Sequence, residues 1–199
     1  MTKISENYGL ENILNNFSGM KFSEKFLEKR CIFFWGEVDD ESAEQVINRL
    51  LYLEMTDPGK QITMYISSPG GSVTSGMAIL DTMKMISSPV KTVCIGLCAS
   101  MASLLLSAGE KGSREIFSHG EVMIHQPLIG GHFQDKASNL EITAKQINKT
   151  KRITAEILAE NCGKDFETVM ADIEEDHWLD AKEALEYGIV DKITEKLEF

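Results

Sequence analysis

The stretch "VKTVCIGLCASMASLLLSAG", residues 90–109, decides the fold. Its first nine residues are mostly apolar, which is typical of a strand buried on both faces of a sheet. The rest, from Ser100 onward, is predicted to form a helix that ends at Gly109. A serine therefore stands at the junction of a buried strand and a helix. Two interpretations are open: its hydroxyl caps the helix, or it is a nucleophile at the carboxyl end of the sheet.

Strands and helices alternate on both sides of this junction. Further strands are predicted at 31–36 ("CIFFWG"), 61–67 ("QITMYIS") and 121–127 ("EVMIHQP"), and helices at 39–59 and 69–86. Because the strands are continuous apolar runs that alternate with helices, they indicate an α/β domain. Its sheet is expected to be largely parallel and covered on both faces.

Composition limits the class of protein. The 199 residues fit one domain, and a net charge of −11 argues against nucleic acid or an anionic membrane as the main partner. No apolar run is long enough to cross a bilayer and the N-terminus lacks a signal-peptide core, so we expect a cytoplasmic protein. The cysteines lack zinc-site spacing, so we expect buried thiols, no metal and no cofactor on this chain. They are Cys31, Cys94, Cys98 and Cys162.

A long helical pattern runs from Asp135 to Cys162 and follows the glycine-rich loop "LIGGHF". Packing against the domain's own core is the first interpretation of its apolar stripe. We favour a protruding element that packs against other subunits, because the helix is apolar on more than one side. A turn, a short helix that ends at Gly188 and a last strand follow it. The stripe comprises Ala137, Leu140, Ala144, Ile147, Thr154 and Leu158, with Ile142, Ile153 and Ile157 beside it.

The stretch "SSPGGSV", residues 67–73, is a second candidate for chemistry. Two glycines after a strand let the backbone approach a ligand and turn an N–H outward. One such N–H, with that of the residue after a nucleophile, would form an oxyanion hole. A plain strand-to-helix turn is the alternative. A phosphate-binding loop is disfavoured because neither of its glycine patterns occurs.

His125, in "MIHQP", ends an apolar strand just before a proline and is a candidate general base, the alternative being a structural role. The other histidines lie in polar stretches and are expected at the surface. An orienting acid could come from "DIEEDHWLDA", residues 172–181, although a charged run is usually a solvated face. Spacing alone does not choose among its acids. The other histidines are His119, His132 and His177, and the acids are Asp172, Glu174, Glu175, Asp176 and Asp180.

Together and in this order, these motifs resemble the ClpP family of serine peptidases, the proteolytic subunits of ATP-dependent Clp proteases. The resemblance runs from "CIFFWGEVDD" to "EYGIVDKI" and so covers nearly the whole chain. It implies a crotonase-like spiral of β-β-α units within a single domain at 31–199. The long helix corresponds to the family's protruding handle, at about 128–162. Residues 1–30 form a divergent N-terminal segment where the family has its axial loops.

The resemblance also implies roles for individual residues. Ser100 matches the nucleophile, His125 the general base and Asp176 the orienting acid. The oxyanion donors fall on the backbone N–H groups of Gly71 and Met101. A Ser-His-Asp triad in this chain order is the chemistry of serine peptidases on another fold.

The assignment of the acid has two fallbacks, Glu174 and Asp172. They are kept because the loop after "HQPL" is about two residues longer than the common pattern of the family. The N-terminal segment departs from that pattern as well. So do Thr63 and Ser67, which stand where an aromatic residue and an asparagine are common.

The function implied is that of a serine endopeptidase subunit of a ring-shaped, ATP-dependent protease that degrades unfolded proteins to short peptides. The family assembles as two stacked seven-membered rings. An AAA+ unfoldase of the ClpX, ClpA or ClpC kind uses the ATP. One alternative, motivated by the divergent N-terminus, is a weakly active or structural subunit of a mixed ring. A second is a crotonase-type acyl-CoA enzyme, which shares the fold and a backbone oxyanion hole.

Overall fold

The computed structural model describes residues 24–128 and 136–196. Within these residues seven strands form one sheet. The strands are β1 Cys31–Trp35, β2 Ile62–Ser68, β3 Val90–Ala99, β4 Arg114–Phe117, β5 Glu121–Ile124, β6 His177–Leu179 and β7 Lys192–Thr194. The helices, after a helical turn at 24–28, are α1 Asp40–Thr56, α2 Val73–Met85, α3 Met101–Ser107, α4 Ala137–Cys162, α5 Phe166–Asp172 and α6 Ala181–Tyr187.

The sheet is parallel except at one edge, which confirms the predicted α/β class. Its main path runs β1-β2-β3-β4-β7, and every pair along it is parallel. β5 lies parallel to β3, and β6 is antiparallel to β5. The long crossover connections between parallel neighbours are the helices, as this class requires.

β3 is long enough to pair with β4 along its first part and with β5 along its last part, so the sheet branches there. Its residues 92–94 pair with β4, whereas residues 97–99 pair with β5. Gly96 lies between the two stretches with a φ of +74°, a left-handed conformation that glycine adopts without a steric penalty. Because Ala99 is in register with Met123, the residues that follow these two strands leave the sheet side by side. Ser100 and His125 are therefore neighbours in space.

Local signals explain the boundaries of α1. Asp39 and Ser42 form a capping box, in which each side chain accepts from the other residue's backbone N–H. The helix ends before Pro58, which cannot continue it. Its buried residues recur at helical spacing and pack into the main core, as the sequence predicts. They are Ala43, Val46, Leu50 and Leu53.

The handle helix α4 packs on the core only at its carboxyl end. Its buried residues, Ala155, Leu158 and Ala159, all lie in the last third of the helix. Leu140 and Ile142 near its start are 41% and 65% exposed. Packing on the domain's own core therefore holds for the end of α4 alone, while its amino-terminal part leaves large apolar side chains uncovered. Residues 129–135, which include most of the predicted loop "LIGGHF", lie outside the described residues.

Three short elements, β4, β6 and α5, have no counterpart in the sequence prediction. Each spans three to seven residues, and segments this short show no measurable hydrophobic period. The polar stretch around His177 is a strand, and not the turn expected before the short helix, because β5 supplies its hydrogen-bond partners. His119 is exposed, as expected, and His132 lies outside the described residues.

Residues 1–23 of the divergent N-terminal segment lie outside the described residues as well. Residues 24–30 pack on the domain. The Phe26 ring lies edge-on to Phe33 of β1, with their centroids 4.6 Å apart. Arg30 is buried, and its guanidinium donates to the carbonyl oxygens of Leu53, Lys60 and Gln61.

Candidate active site

Ser100 occupies a strained turn between β3 and α3. Its φ of +54° and ψ of −124° are rare for a residue with a side chain and cost on the order of 1–3 kcal/mol. The backbone on both sides holds it there, because its N–H donates to the Met123 carbonyl at 2.8 Å and its carbonyl accepts the Ser103 N–H at 3.0 Å. Strained serines on strand-to-helix turns expose their hydroxyl at the edge of the sheet.

The interpretation of Ser100 as a side-chain helix cap is wrong. The residue stands at the N-cap position of α3, yet its hydroxyl accepts no hydrogen bond from the first turn. A capping serine has an extended backbone, which directs its oxygen toward the second or third N–H. The left-handed backbone of Ser100 does not allow this geometry. Its Oγ instead lies 2.8 Å from Nε2 of His125.

His125 joins the hydroxyl to a carboxylate. His125 is the residue directly after β5, and its Nδ1 lies 3.0 Å from Oδ1 of Asp176. A neutral imidazole with its proton on Nδ1 donates to that carboxylate and accepts the Ser100 hydroxyl at Nε2. The His125 side chain is 13% exposed, whereas the Asp176 side chain is 61% exposed. The three groups form a continuous row of hydrogen bonds.

The carboxylates proposed as the acid or as its fallbacks have three separate partners. Of these three carboxylates, only that of Asp176 is hydrogen-bonded to the His125 ring. The Glu174 carboxylate pairs with the Lys151 ammonium at 2.5 Å. The Asp172 carboxylate accepts a hydrogen bond from the hydroxyl of Tyr187, at 2.9 Å. The tertiary contacts therefore separate three acids that the spacing of the sequence does not distinguish.

The glycine loop after β2 lies directly against the Ser100 turn. A Cβ added to Gly70 would lie 2.6 Å from the Ser100 Cβ and 3.0 Å from the Met101 nitrogen, and the φ of Gly70 is +90°. Both the space and the backbone conformation thus require glycine. A hydrogen bond from the Val38 N–H to the Gly70 carbonyl, at 2.8 Å, holds the loop in this position.

Two backbone N–H groups beside this turn have no acceptor within residues 24–128 and 136–196. One belongs to Gly71. The Gly70 carbonyl of the same peptide points at Val38, and the N–H and C=O of a trans peptide point in opposite directions, so the Gly71 N–H faces away from Val38. The other belongs to Met101, the first residue of α3, whose N–H has no partner within the helix. Two unpaired donors next to a serine hydroxyl can stabilise negative charge that develops on a bound oxygen.

An apolar pocket opens beside Ser100 and His125. Val73, Met101, Leu104 and Ile173 contribute to its lining, and the last turns of the handle helix close it with Ala155 and Leu158. Such a lining favours an apolar side chain, because transfer from water stabilises it by roughly 25 cal/mol per Å² buried. Ser100 and His125 themselves line this pocket, so it borders the row of hydrogen bonds.

Other kinds of site receive no support in the described part of the chain. Residues 24–128 and 136–196 contain no group of three histidine, cysteine or acidic side chains placed to hold a metal ion. Their helices are all too short or too polar to span a bilayer. Three cysteines are buried thiols, as expected, and Cys162 is half-buried. Burial raises the pKa of the Cys162 thiol to about 12, so it is protonated at neutral pH.

A serine, an imidazole and a carboxylate in one row, beside two unpaired backbone donors, are the features of a serine hydrolase with a catalytic triad. The chain therefore has the site of a serine hydrolase, built at the carboxyl ends of two parallel strands.

Comparison with known proteins narrows this class. The model of the Clp protease family matches residues 15–197. ATP-dependent Clp protease proteolytic subunits from two strains of Bacteroides fragilis are each 46% identical over 94% of this chain, covering 89% and 84% of their own lengths. A subunit of the same name from Bacteroides thetaiotaomicron is 45% identical over 94% of this chain and 84% of its own. The chain belongs to the Clp protease family, which is a family of serine-type peptidases.

Proposed function

We propose that the chain is the proteolytic subunit of an ATP-dependent Clp protease and cleaves unfolded polypeptides to short peptides by serine catalysis. The observation that carries the proposal is the position of His125, whose two ring nitrogens lie 2.8 Å from the Ser100 hydroxyl and 3.0 Å from the Asp176 carboxylate. Serine catalysis by these three groups needs no cofactor, and we propose that a partner, not this chain, uses the ATP.

In the proposed mechanism His125 takes the proton of Ser100 as the Oγ attacks the peptide carbonyl. Asp176 holds the imidazole in the tautomer that accepts at Nε2 and stabilises the imidazolium that forms. The N–H groups of Gly71 and Met101 bind the oxyanion, each contributing roughly 3 kcal/mol to the transition state. His125 then protonates the leaving amine, and a water molecule that it activates hydrolyses the acyl-enzyme.

The pocket sets the preference for the residue before the scissile bond. Because its lining is apolar and the handle helix closes it, we expect cleavage after apolar residues in place of charged ones. An unfolded polypeptide presents such residues throughout, whereas a folded protein buries most of them. A requirement for an unfolding partner follows from the same argument.

We further propose that the chain assembles into two stacked seven-membered rings and docks an AAA+ unfoldase of the ClpX, ClpA or ClpC kind, in the cytoplasm. The exposed apolar side chains of Leu140 and Ile142 support assembly through the handle, since uncovered apolar patches mark interfaces. The name of the relatives, an ATP-dependent protease's proteolytic subunit, supports an ATP-using partner. Residues 31–199 then form one peptidase domain, on which residues 24–30 pack.

Labelling with a fluorophosphonate probe, followed by peptide mapping of the assembled particle, tests the proposal. We expect the label on Ser100 and none in Ser100→Ala. Ser107→Ala is the matched control, because Ser107 is a buried serine of α3 whose hydroxyl donates to the Leu104 carbonyl and accepts from the Asn161 side-chain amide, with no contact to His125. It should label and hydrolyse a short peptide as the wild type does. An assembled wild-type particle that takes no label would contradict the proposal and favour the structural ring subunit.

A further inference from the structure

Asp176 is an exposed carboxylate whose orientation depends on the segment that carries it. Its side chain is 61% exposed, and water competes with an exposed ion pair, so such a pair contributes only about 0–1 kcal/mol by itself. The 3.0 Å contact with His125 therefore holds the backbone of residues 173–176 only together with other contacts. Other contacts must fix that segment if the carboxylate is to remain on the ring.

Two sets of backbone contacts hold the segment from the side of β5. After Asp176, His177 pairs with Ile124 in the β5–β6 ladder. Before Asp176, the Gln126 backbone N–H donates to the Ile173 carbonyl at 2.7 Å, and its side-chain amide donates to the Glu174 carbonyl at 2.8 Å. These contacts tie the segment to the strand that carries His125.

A third contact comes from the handle helix and acts on a side chain. Lys151 lies near the middle of α4, and its ammonium is 2.5 Å from the Glu174 carboxylate. The Lys151 side chain is only 14% exposed, although Glu174 is 62% exposed. The hydrogen bond from Lys151 lowers the pKa of Glu174, so the Glu174 carboxylate is ionised at neutral pH.

The neighbouring ion pair on the handle provides a contrast. Arg152 and Glu156 are 3.6 Å apart, both more than half exposed, and both on α4 itself. That pair links one turn of the helix to the next. Lys151 instead reaches out of the helix to a residue two positions before Asp176.

We propose that Lys151 and Glu174 are positioning residues for the reaction: their ion pair adds a contact with the handle helix to the contacts from β5 and Gln126, and together these hold the segment before Asp176 so that its carboxylate stays hydrogen-bonded to His125. The inference rests on the proposed function. It assigns to Glu174, a candidate for the triad acid by sequence, the different task of holding the acid in place.

The test compares peptide hydrolysis and the rate of fluorophosphonate labelling in assembled particles of Lys151→Met and Glu174→Gln. Each should lower kcat and the labelling rate by about threefold to fivefold, which is the shift in the aligned population that losing an ion pair of this exposure produces. KM should stay within twofold, because neither residue lines the substrate pocket. The double variant should be no worse than either single one. Lys151→Arg should keep most of the activity, and exchange of the two charges, Lys151→Glu with Glu174→Lys, should recover part of it.

Glu156→Gln is the matched control, since it breaks an ion pair of the same helix that does not touch the acid segment. It should leave kcat unchanged. Values of kcat within twofold of wild type in both Lys151→Met and Glu174→Gln would overturn the inference. So would a loss of assembly with unchanged activity per assembled particle, which would show a purely structural pair. Failure of the wild type itself to label would instead refute the proposed function.

Discussion

Replacing Gly70 with alanine is a direct test of the close approach between the glycine loop and the nucleophile turn. The added Cβ would lie 2.6 Å from both the Ala99 carbonyl oxygen and the Ser100 Cβ. Ordinary contacts begin near 3.4 Å, so the loop or the turn must move by about 0.8 Å. Either movement changes the distance from the Gly71 N–H to the point where the oxyanion forms.

Two effects of the Gly70→Ala substitution can be separated by size. The φ of +90° costs an alanine roughly 1–2 kcal/mol, and overpacking adds about 1–3 kcal/mol of destabilisation. The displacement acts on the reaction, where a misplacement of about 1 Å costs up to 10²-fold in rate. We therefore expect a loss of kcat approaching 10²-fold, with a small change in KM because the apolar pocket is intact.

Gly59→Ala is the control for this substitution. Gly59 also has a left-handed φ, +77°, but an added Cβ there meets nothing within 4 Å. The Gly59→Ala variant therefore has the conformational cost of a positive φ but does not displace the glycine loop or the Ser100 turn, so its kcat should equal that of the wild type. Steady-state hydrolysis of a short fluorogenic peptide, on particles of verified size, measures both variants. A Gly70→Ala particle with kcat within twofold of wild type would refute the reasoning.

Two further predictions concern stability. The Arg114 guanidinium binds the Asp191 carboxylate through two nitrogens, and the two side chains are only 6% and 21% exposed. Arg114→Met leaves that carboxylate without its partner, so urea unfolding should show that the free energy of unfolding falls by about 3–5 kcal/mol. A fall of less than 1 kcal/mol would contradict this. Hydrogen bonds from Ser87 and Ser88 lower the pKa of Glu54 from 4.5 to about 2, so its stabilisation is present above pH 4.5 and lost as the pH falls toward 2. Urea titrations across that range should show a shallower pH dependence in Glu54→Gln, and an unchanged slope would count against the assignment.

The sequence by itself determined the long elements of the fold. β1, β2, β3, α1 and α2 lie within a residue or a few of their predicted bounds, because apolar runs, caps and Gly or Pro stops are local signals. β4 and β6 escaped prediction for the opposite reason. A strand of three or four residues is stable only through its neighbours, and those neighbours are distant in sequence.

The candidate site was predictable in its residue types but not in its geometry. Ser100 at the end of β3 and His125 at the end of β5 are visible as candidates, because each polar side chain ends an apolar run. Whether the hydroxyl caps the helix depends on a left-handed backbone that the Met123 and Ser103 contacts hold. No short-range pattern encodes those contacts.

The acids Asp172, Glu174 and Asp176 show most clearly what required the folded chain. Composition and spacing did not distinguish them from one another, or from Glu175 and Asp180, and only kinship with a known family ranked them. In the folded chain each acid has a different partner: Asp172 accepts from a tyrosine hydroxyl, Glu174 pairs with a lysine of the handle, and Asp176 contacts the imidazole. The reason is physical: a carboxylate's role follows from the donor it meets, and each donor here comes from a separate element of the structure.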